Sequence, residues 1–507
     1  MVTPTHRATT TLISYGLVIF ISSACLLILE IVASRLLAPY VGVSLYTWTA
    51  IIGVILAGLS LGNWLGGVVA DRGAGRLTAG WTLVASGIVT LMIPQLLVLI
   101  ADGIQAQPVS LLQASLLFVL ALFFLPALVL GIITPLLTTL ALTISSRTGH
   151  VVGTLHALAA LGSICGTFAA GFILVPWFGT RSIIVATGIV LAIMGLVFLL
   201  KRPKSAVLAV AAVAASLGVL FGGNGLRNPC DSESLYYCIR VVDEPSPYGV
   251  ARSMVLDHMV HSINHRDDPE FMITEYTHAM DELLRLRYPA GSSADVFFAG
   301  GGAYTQPRAL AHRLPNAHIE VAELDPQVTA AAVKSLYVDI STMTVHHNDA
   351  RVQLGRSAPA SFDAIVTDVF HDVAIPWHLT TTEFAGLVKS RLKPGGLYLV
   401  NVIDVFPDSK LVKGLIRTLQ QHFNTVQVWL EQPPSEQRRL TYVITATNGD
   451  AFPPQVTARN GIPRTWYDFS EPVQSIGTPM EDIVLLTDNH APVERLISTL
   501  FWSDLGL

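Results

Sequence analysis

Charge is scarce in this chain. Only 13% of its 507 residues are Asp, Glu, Lys or Arg, and the mean hydropathy is +0.54, far from the composition of a soluble globular protein. The scarcity is uneven. Through residue 225 there are three acids (Glu30, Asp71, Asp102) against nine Lys/Arg, whereas the remainder holds 33 acidic and 22 basic residues. A basic stripe, or a Lys/Arg run interleaved with aromatics, is also lacking, which argues against a nucleic-acid partner. Cysteine is rare, at four residues. Cys25 and Cys165 fall in apolar stretches, where a buried thiol is ordinary. Cys230 and Cys238 stand close together in NPCDSESLYYCIRV, and a disulfide between them is expected if that segment meets an oxidising compartment. No Cys-x-x-Cys pair accompanies the histidines of the second half, and no metal is expected.

What is present in the first half is apolar length. Seven stretches, near 11–34, 46–70, 79–101, 112–142, 153–178, 182–200 and 205–222, reach the roughly 18 residues needed to cross a bilayer core of about 30 Å. The first has no small-x-small cleavage site and runs on to Pro39, so it is expected to be retained. The fourth is overlong and contains Pro126 and Pro135, which predicts a kink or tilt. Arg7, Arg72, Arg76, Arg147, Lys201, Arg202 and Lys204 fall on one side of this arrangement, and only Arg35 and Arg181 on the other. By the positive-inside rule the N-terminus is cytoplasmic, and an odd number of spans places the second half outside. Glu30, Asn63 and His156 are polar groups within spans. Pairing of Glu30 with Arg35, and hydrogen bonds from Asn63 and His156 to other helices, are the expected outcomes. LAGLSLGNWLGGVVA and GSICGTFAAG are rich in small residues and suit close helix contact.

The second half reads differently. SLYYCIRVV, ARSMVLDH and MVHSINH are short β-like runs, and a helix is expected over 271–288. Strands and helices then alternate: ADVFFAG, QPRALAHRL, AHIEVAELD, PQVTAAAVKSLY, MTVHHND, FDAIVTDVF, TTTEFAGLVKSRLKPG and GGLYLVNVI. Such alternation implies a parallel, doubly wound sheet with its ligand at the carboxyl ends of the strands. Gly300, Gly301 and Gly302 end the first strand, with Thr305 expected to cap the next helix and Pro307 in its first turn. Glu323 ends the second strand 21 residues after Gly302, the spacing of a ribose-binding carboxylate. Asp349 ends the third and Asp368 the fourth. Against a binding role, Asp325 and Asp349 could serve simply as caps.

The segment LDHMVHS, the GGG loop, VAELDP, the Asn-Asp pair at 348–349 and IVTDVF together resemble the spermidine synthase (polyamine aminopropyltransferase) family. LEIVASRLLAPYVGVSLYTWT, LGSICGTFAAGFILVPWFGTR and LLTDNHAPVERL resemble the membrane-fused members. The resemblance implies an all-α membrane bundle over 1–223, a β-rich preface over 224–270 and an α/β Rossmann-like, methyltransferase-type domain over 271–507. It also implies roles. His261 stands where the family has a glutamine touching the thioadenosine, Glu323 matches the ribose acid, and Asp349 with Ala350 the pair beside the adenine. Asp368 matches the acid that takes the amine proton, and Pro376 a proline lining the adenine pocket. Tyr276, His371, Asp372 and Trp377 would form the acceptor side.

Departures accompany the likeness. The family's Gly-Gly-Gly-Asp loop ends here in Ala303, its Tyr-His-Glu stretch is approximated by Tyr276, Thr277 and His278, and Asp372 falls one place late. An aminopropyl transfer from decarboxylated S-adenosylmethionine to an amine is the leading expectation. The neutral loop, with Arg308 in the helix that follows, keeps open methyl transfer from S-adenosylmethionine. A third alternative is a polyamine or cation transporter carrying a synthase-like sensor. The expected partners are a nucleoside cosubstrate, an amine acceptor and the lipid bilayer, with a homodimer compatible and no tightly bound cofactor.

Overall fold

The computed structural model describes residues 6–107, 109–370, 373–432 and 436–502. The chain divides into two compact units, Met1–Pro229 and Cys230–Leu507. In the first, seven helices are long and apolar enough to cross a membrane: α1 (His6–Val41), α2 (Leu45–Asp71), α3 (Arg76–Gln105), α4 (Leu111–Leu142), α5 (Thr148–Trp177), α6 (Thr180–Leu199) and α7 (Pro203–Gly222). They pack chiefly as pairs, α1 on α5, α2 on α4 and α3 on α6.

Small residues set these contacts. Gly58, Gly62 and Gly66 lie one turn apart on the buried face of α2. A Cβ at Gly58 would come within 2.8 Å of the Phe124 carbonyl, and one at Gly62 would collide with that of Leu128 on α4. Gly162 and Gly166 do the same for α5, against Phe20 and Ala24 of α1. Between helices this apolar on all sides, such backbone approach is an important source of packing energy. The expected distortion of α4 is a π turn over Leu120–Phe124, directly before Pro126. Proline offers no N–H to the preceding turn, and the widened turn absorbs that loss without breaking the helix. α5 has the same device, at Ala170–Leu174 before Pro176. Asn63 and His156 depart from expectation: both are exposed on their helices and make no hydrogen bond to a neighbouring one.

The second unit opens with an antiparallel four-stranded sheet, β1 (Ser232–Glu233), β2 (Cys238–Glu244), β3 (Ala251–Leu256) and β4 (Met259–His265). A disulfide joins Cys230 to Cys238 across the β1–β2 turn. Helix α8 (Glu275–Arg287) leads into β5 (Asp295–Ala299), α9 (Thr305–Arg313), β6 (His318–Ala322), α10 (Pro326–Ser335), β7 (Thr344–His346), α11 (Ala350–Arg356) and β8 (Phe362–Thr367). The chain continues through α12 (Thr382–Arg391), β9 (Leu392–Phe406), α13 (Lys410–Leu419), β10 (Thr425–Leu430), β11 (Arg438–Thr447), β12 (Gln455–Thr457) and β13 (Thr465–Asp468).

The nine-stranded sheet has the order β12-β13-β10-β11-β9-β8-β5-β6-β7. β5 to β9 are parallel, and the buried apolar stretches of β5, β8 and β9 suit a sheet whose faces are covered by helices. The remaining four strands are antiparallel, so the expected parallel sheet is in fact mixed. Val296, Phe298, Val321, Ala364, Val366 and Leu399 form the centre of its core.

Gly62→Val tests the close approach of α2 to α4. The detergent-solubilised variant should melt several degrees below the wild type, because overpacking a tight contact costs about 1–3 kcal/mol. An unchanged melting temperature would show the two helices free to separate.

Candidate active site

The strand order reverses between β5 and β8, and the carboxyl ends of these two neighbours open a cleft. After β5 the chain turns through Gly300 and Gly302, with φ of 92° and 49°. Glycine is required at the first of these, because any side chain there would collide with the Asp368 carbonyl. The Asp368 N–H donates to Ala299 O at 2.9 Å, fixing the end of β8 against the loop.

Glu323 holds the loop from its other flank. Its Oε2 accepts from the amides of Gly301 (2.9 Å) and Gly302 (3.3 Å), and its Oε1 from that of Asp325 (2.9 Å). Burial raises the pKa of this carboxyl, and the three N–H groups oppose the rise. Each oxygen retains acceptor capacity for a hydroxyl from a ligand.

Asp349 and Asp325 both cap helices. Asp325 accepts from Gln327 N, and Asp349 Oδ1 from Val352 N, each at 2.9 Å. For Asp349 capping is only half of the role. Its second oxygen meets His378 Nε2 at 2.8 Å, and this bond, aided by the cap, holds its pKa below the usual carboxylate range.

Asp368 lines the same cavity as Glu323 and Asp349. Its Oδ1 accepts from Asn401 Nδ2 at 2.9 Å. Burial pushes this carboxyl up to about 7, countered by Asn401 and the neighbouring Tyr276 hydroxyl, which itself donates to His261 O at 2.5 Å. The His261 ring is held down at about 4 by burial, hence neutral at pH 7.

Of the residues singled out in sequence, His261, Gly300, Gly302, Glu323, Asp349, Ala350, Asp368 and Pro376 all line this one cavity. Gly301 contributes through its amide. Tyr276 lines an adjoining groove with Glu275, Trp429 and Glu431, so its hydroxyl faces Asp368 while its body borders the next space. Trp377 is half-exposed, its ring edge-on to that of His378 with centroids 5.8 Å apart, and it lies outside the cavity lining. His371 and Asp372 lie outside the described residues.

Two local expectations are corrected. Thr305 does not cap α9: Tyr304 occupies that position, and the Thr305 hydroxyl bonds Asn264 and Ser262 instead. Arg308 turns away from the loop to donate to His265 O (2.9 Å) and Arg266 O (3.2 Å).

Several contributors had no sequence signal. His378 and Asn401 act on Asp349 and Asp368 from 29 and 33 residues away, a distance only the fold closes. Tyr236 and Tyr237 line the cavity from within the disulfide-bonded turn, where Ser234 Oγ accepts from both of their amides.

Removing the crosslink by Cys230→Ser with Cys238→Ser is expected to destabilise the second unit by roughly 2–3 kcal/mol, for a loop of this length. It should also quicken hydrogen exchange at the Tyr236 and Tyr237 amides, which lie inside the closed loop. Loss of stability with that exchange unchanged would show that the bond does not shape the cavity wall.

No family model matches the chain. Over 119 residues it is 35% identical to the polyamine aminopropyltransferase of Vibrio vulnificus (strain CMCP6), covering 23% of this chain and 39% of that one. Over 282 residues it is 31% identical to the polyamine aminopropyltransferase of Mycobacterium tuberculosis (strain ATCC 25618 / H37Rv), covering 50% of this chain and 51% of that one. The chain thus spans about half, or less, of the length of the curated relatives it matches. A solved structure described as a probable spermidine synthase from Corynebacterium glutamicum ATCC 13032 is 21% identical, with 51% of this chain and 95% of that one covered at a TM-score of 0.45. By these sequence matches the chain is similar, over part of its length, to polyamine aminopropyltransferases, and seven long apolar helices stand ahead of its sheet domain.

Proposed function

We propose that the soluble half transfers an aminopropyl group from decarboxylated S-adenosylmethionine to an amine, and that the seven helices anchor it in a membrane. The observation that carries this reading is Asp368, a carboxyl poised near neutrality in the same cavity as Glu323 and Asp349. In this reading Glu323 receives the ribose hydroxyls, Asp349 with Ala350 and Pro376 borders the adenine, and His261 touches the thioadenosine. The neutral amine attacks the carbon bonded to the sulfonium. As the N–C bond forms, the C–S bond breaks, sulfur keeps the electron pair, and methylthioadenosine departs. The proton released by the amine passes to the Asp368 carboxylate, with Asn401 fixing one of its oxygens. The sulfonium is already an activated leaving group, so orientation supplies much of the acceleration.

One observation favours methyl transfer from S-adenosylmethionine as a second reading: the glycine loop carries Ala303, buried, where an acid would greet a cationic aminopropyl tail. Arg308 does not add to that case, since it points elsewhere. Incubating the purified full chain with each donor and a diamine separates the readings. Release of methylthioadenosine supports the first, and release of S-adenosylhomocysteine the second.

The pKa of Asp368 has two consequences of known sign. Below about pH 7 the group is protonated and cannot accept the amine proton, so kcat/KM should rise through pH 7. Asp368→Asn should lower kcat by about 10²–10⁴-fold. The raised pKa also makes the ionised carboxyl a liability to the fold. That penalty is absent below the unfolded pKa near 4 and complete above 7. The Asn variant should therefore melt higher than wild type at pH 8 and no higher at pH 4. A variant that keeps its activity would remove Asp368 from the chemistry.

We also propose that the N-terminus is cytoplasmic and the soluble half extracytoplasmic, supported by the seven-to-two distribution of basic residues. Reporters active only outside or only inside the cytoplasm, fused after Leu507, decide this. An active cytoplasmic reporter overturns it.

A further inference from the structure

LLTDNHAPVERL (485–496) has no part in the chemistry above, yet its aspartate reaches residues that flank the wall of the cavity. Asp488 receives both terminal nitrogens of Arg351, Nη1 to Oδ1 at 2.7 Å and Nη2 to Oδ2 at 2.6 Å. The same Oδ1 accepts from Thr381 Oγ1 at 2.7 Å, and the Asp488 amide donates to Glu383 Oε2 at 2.9 Å. Arg351 is the second residue of α11, directly after Asp349 and Ala350. Its Nη1 donates in addition to the carbonyl of His378 at 3.0 Å, and it is the His378 ring that holds Asp349 Oδ2. The motif is itself pinned, with Thr382 N donating to Leu486 O at 2.8 Å and Leu486 N to Thr418 Oγ1 at 3.2 Å.

Asp488 thus sits at a junction of two chain segments, 349–351 and 378–383. Both contribute lining residues to the cavity, and among the described residues they are joined by the hydrogen bonds of Arg351 to the His378 carbonyl and of the His378 ring to Asp349. A guanidinium–carboxylate fork constrains orientation as well as distance, because both N–H···O bonds must be satisfied in one plane. Fixing Arg351 fixes the His378 carbonyl, which sets where the His378 ring can meet Asp349. Thr381 anchors the far side of the same short segment and caps α12 through Phe384 N at 3.2 Å.

We propose that Asp488 is a positioning residue for the nucleoside cosubstrate. It acts through Arg351 and His378 to set the carboxylate of Asp349 against the base, without touching ligand itself. This rests on the reading of the cavity as an adenosine site. It predicts a division of kinetic labour: Asp488 governs how tightly the nucleoside is held and leaves the Asp368 chemistry alone.

The test uses the full chain in detergent and 5′-methylthioadenosine as the binding probe, measured calorimetrically. Asp488→Asn should raise the Kd of the probe and the KM of the donor about tenfold, with kcat at saturating donor and the KM of the acceptor changed less than about twofold. His378→Gln should give a comparable loss. The double variant should be no worse than His378→Gln alone, because both substitutions cut one chain of contacts. Losses that multiply in the double variant, or a fall in kcat with Kd unmoved, overturn the proposal. Should Asp488→Asn fail to fold, Arg351→Gln enters the same cycle with the same expectation. A wild type that binds no adenosine-type probe fails at the earlier step and removes the adenosine reading, and this inference with it. A wild type that binds while the variants bind equally well sinks the inference alone.

Discussion

A single buried carboxylate organises the site. Glu323 leaves β6 and gathers three backbone N–H groups, two from the glycine loop after β5 and one from Asp325. Buried and unpaired it would be costly; surrounded by amides it is tolerated, and the amides in turn are satisfied. This fastens the loop in one conformation, and Gly300 then lets the loop backbone rest on the Asp368 carbonyl. Two strand ends, one loop and two acids are thereby placed by one group. A ribose would compete with no protein group for Glu323, because each carboxylate oxygen can accept more than it does here.

This interlock explains which parts of the site were legible in the sequence. Gly300, Glu323, Asp349 and Asp368 each end a β-strand in a βα alternation, and strand ends converge by topology, so position along the chain sufficed. The sheet's parallel centre followed for the same reason. His378 and Asn401 were not legible, since one comes from a connecting segment and the other from the middle of β9, and their value depends on which acid they meet. Nor were the directions of side chains. Thr305 had cap chemistry but the backbone at Tyr304 took the capping position, and Arg308 found two carbonyls at the end of β4 rather than the loop. In the apolar half the small residues of LAGLSLGNWLGGVVA announced close packing, while Asn63 and His156 show that polarity alone does not tell which face of a helix a residue occupies.

Charge around the loop bears on which donor the site takes. Glu323, Asp349 and Asp368 line the cavity, and the loop's own side chains are uncharged, with Ala303 buried and its carbonyl accepting from Asn264. Beyond Tyr276, Glu275 and Glu431 border the next groove, where burial, and after it the charge of Glu275, raises the pKa of Glu431. That groove is thus bordered by acids distinct from the three that line the cavity, together with Arg438, and Arg464 lies 3.6 Å from Glu431. On the reading proposed above, a cationic acceptor would find its counter-charge there whichever group is transferred.

The Cys230–Cys238 bond ties this chemistry to location. It closes the turn that brings Tyr236 and Tyr237 to the cavity, so the wall of the ligand site and the redox state of the compartment are linked. In the cytoplasm such a bond would be kept reduced, leaving the turn to its hydrogen bonds, among them those of Ser234, Asp231 and Asp257, and to the short β1–β2 pairing. In an oxidising compartment the wall is rigid, but the donor must then arrive from across the membrane. On the reading proposed above the oxidised form has an advantage, because a fixed aromatic wall lowers the ordering cost of binding a flat base. On that same reading an extracytoplasmic site would ask more of the apolar half than anchoring, since a charged nucleoside does not cross a bilayer unaided.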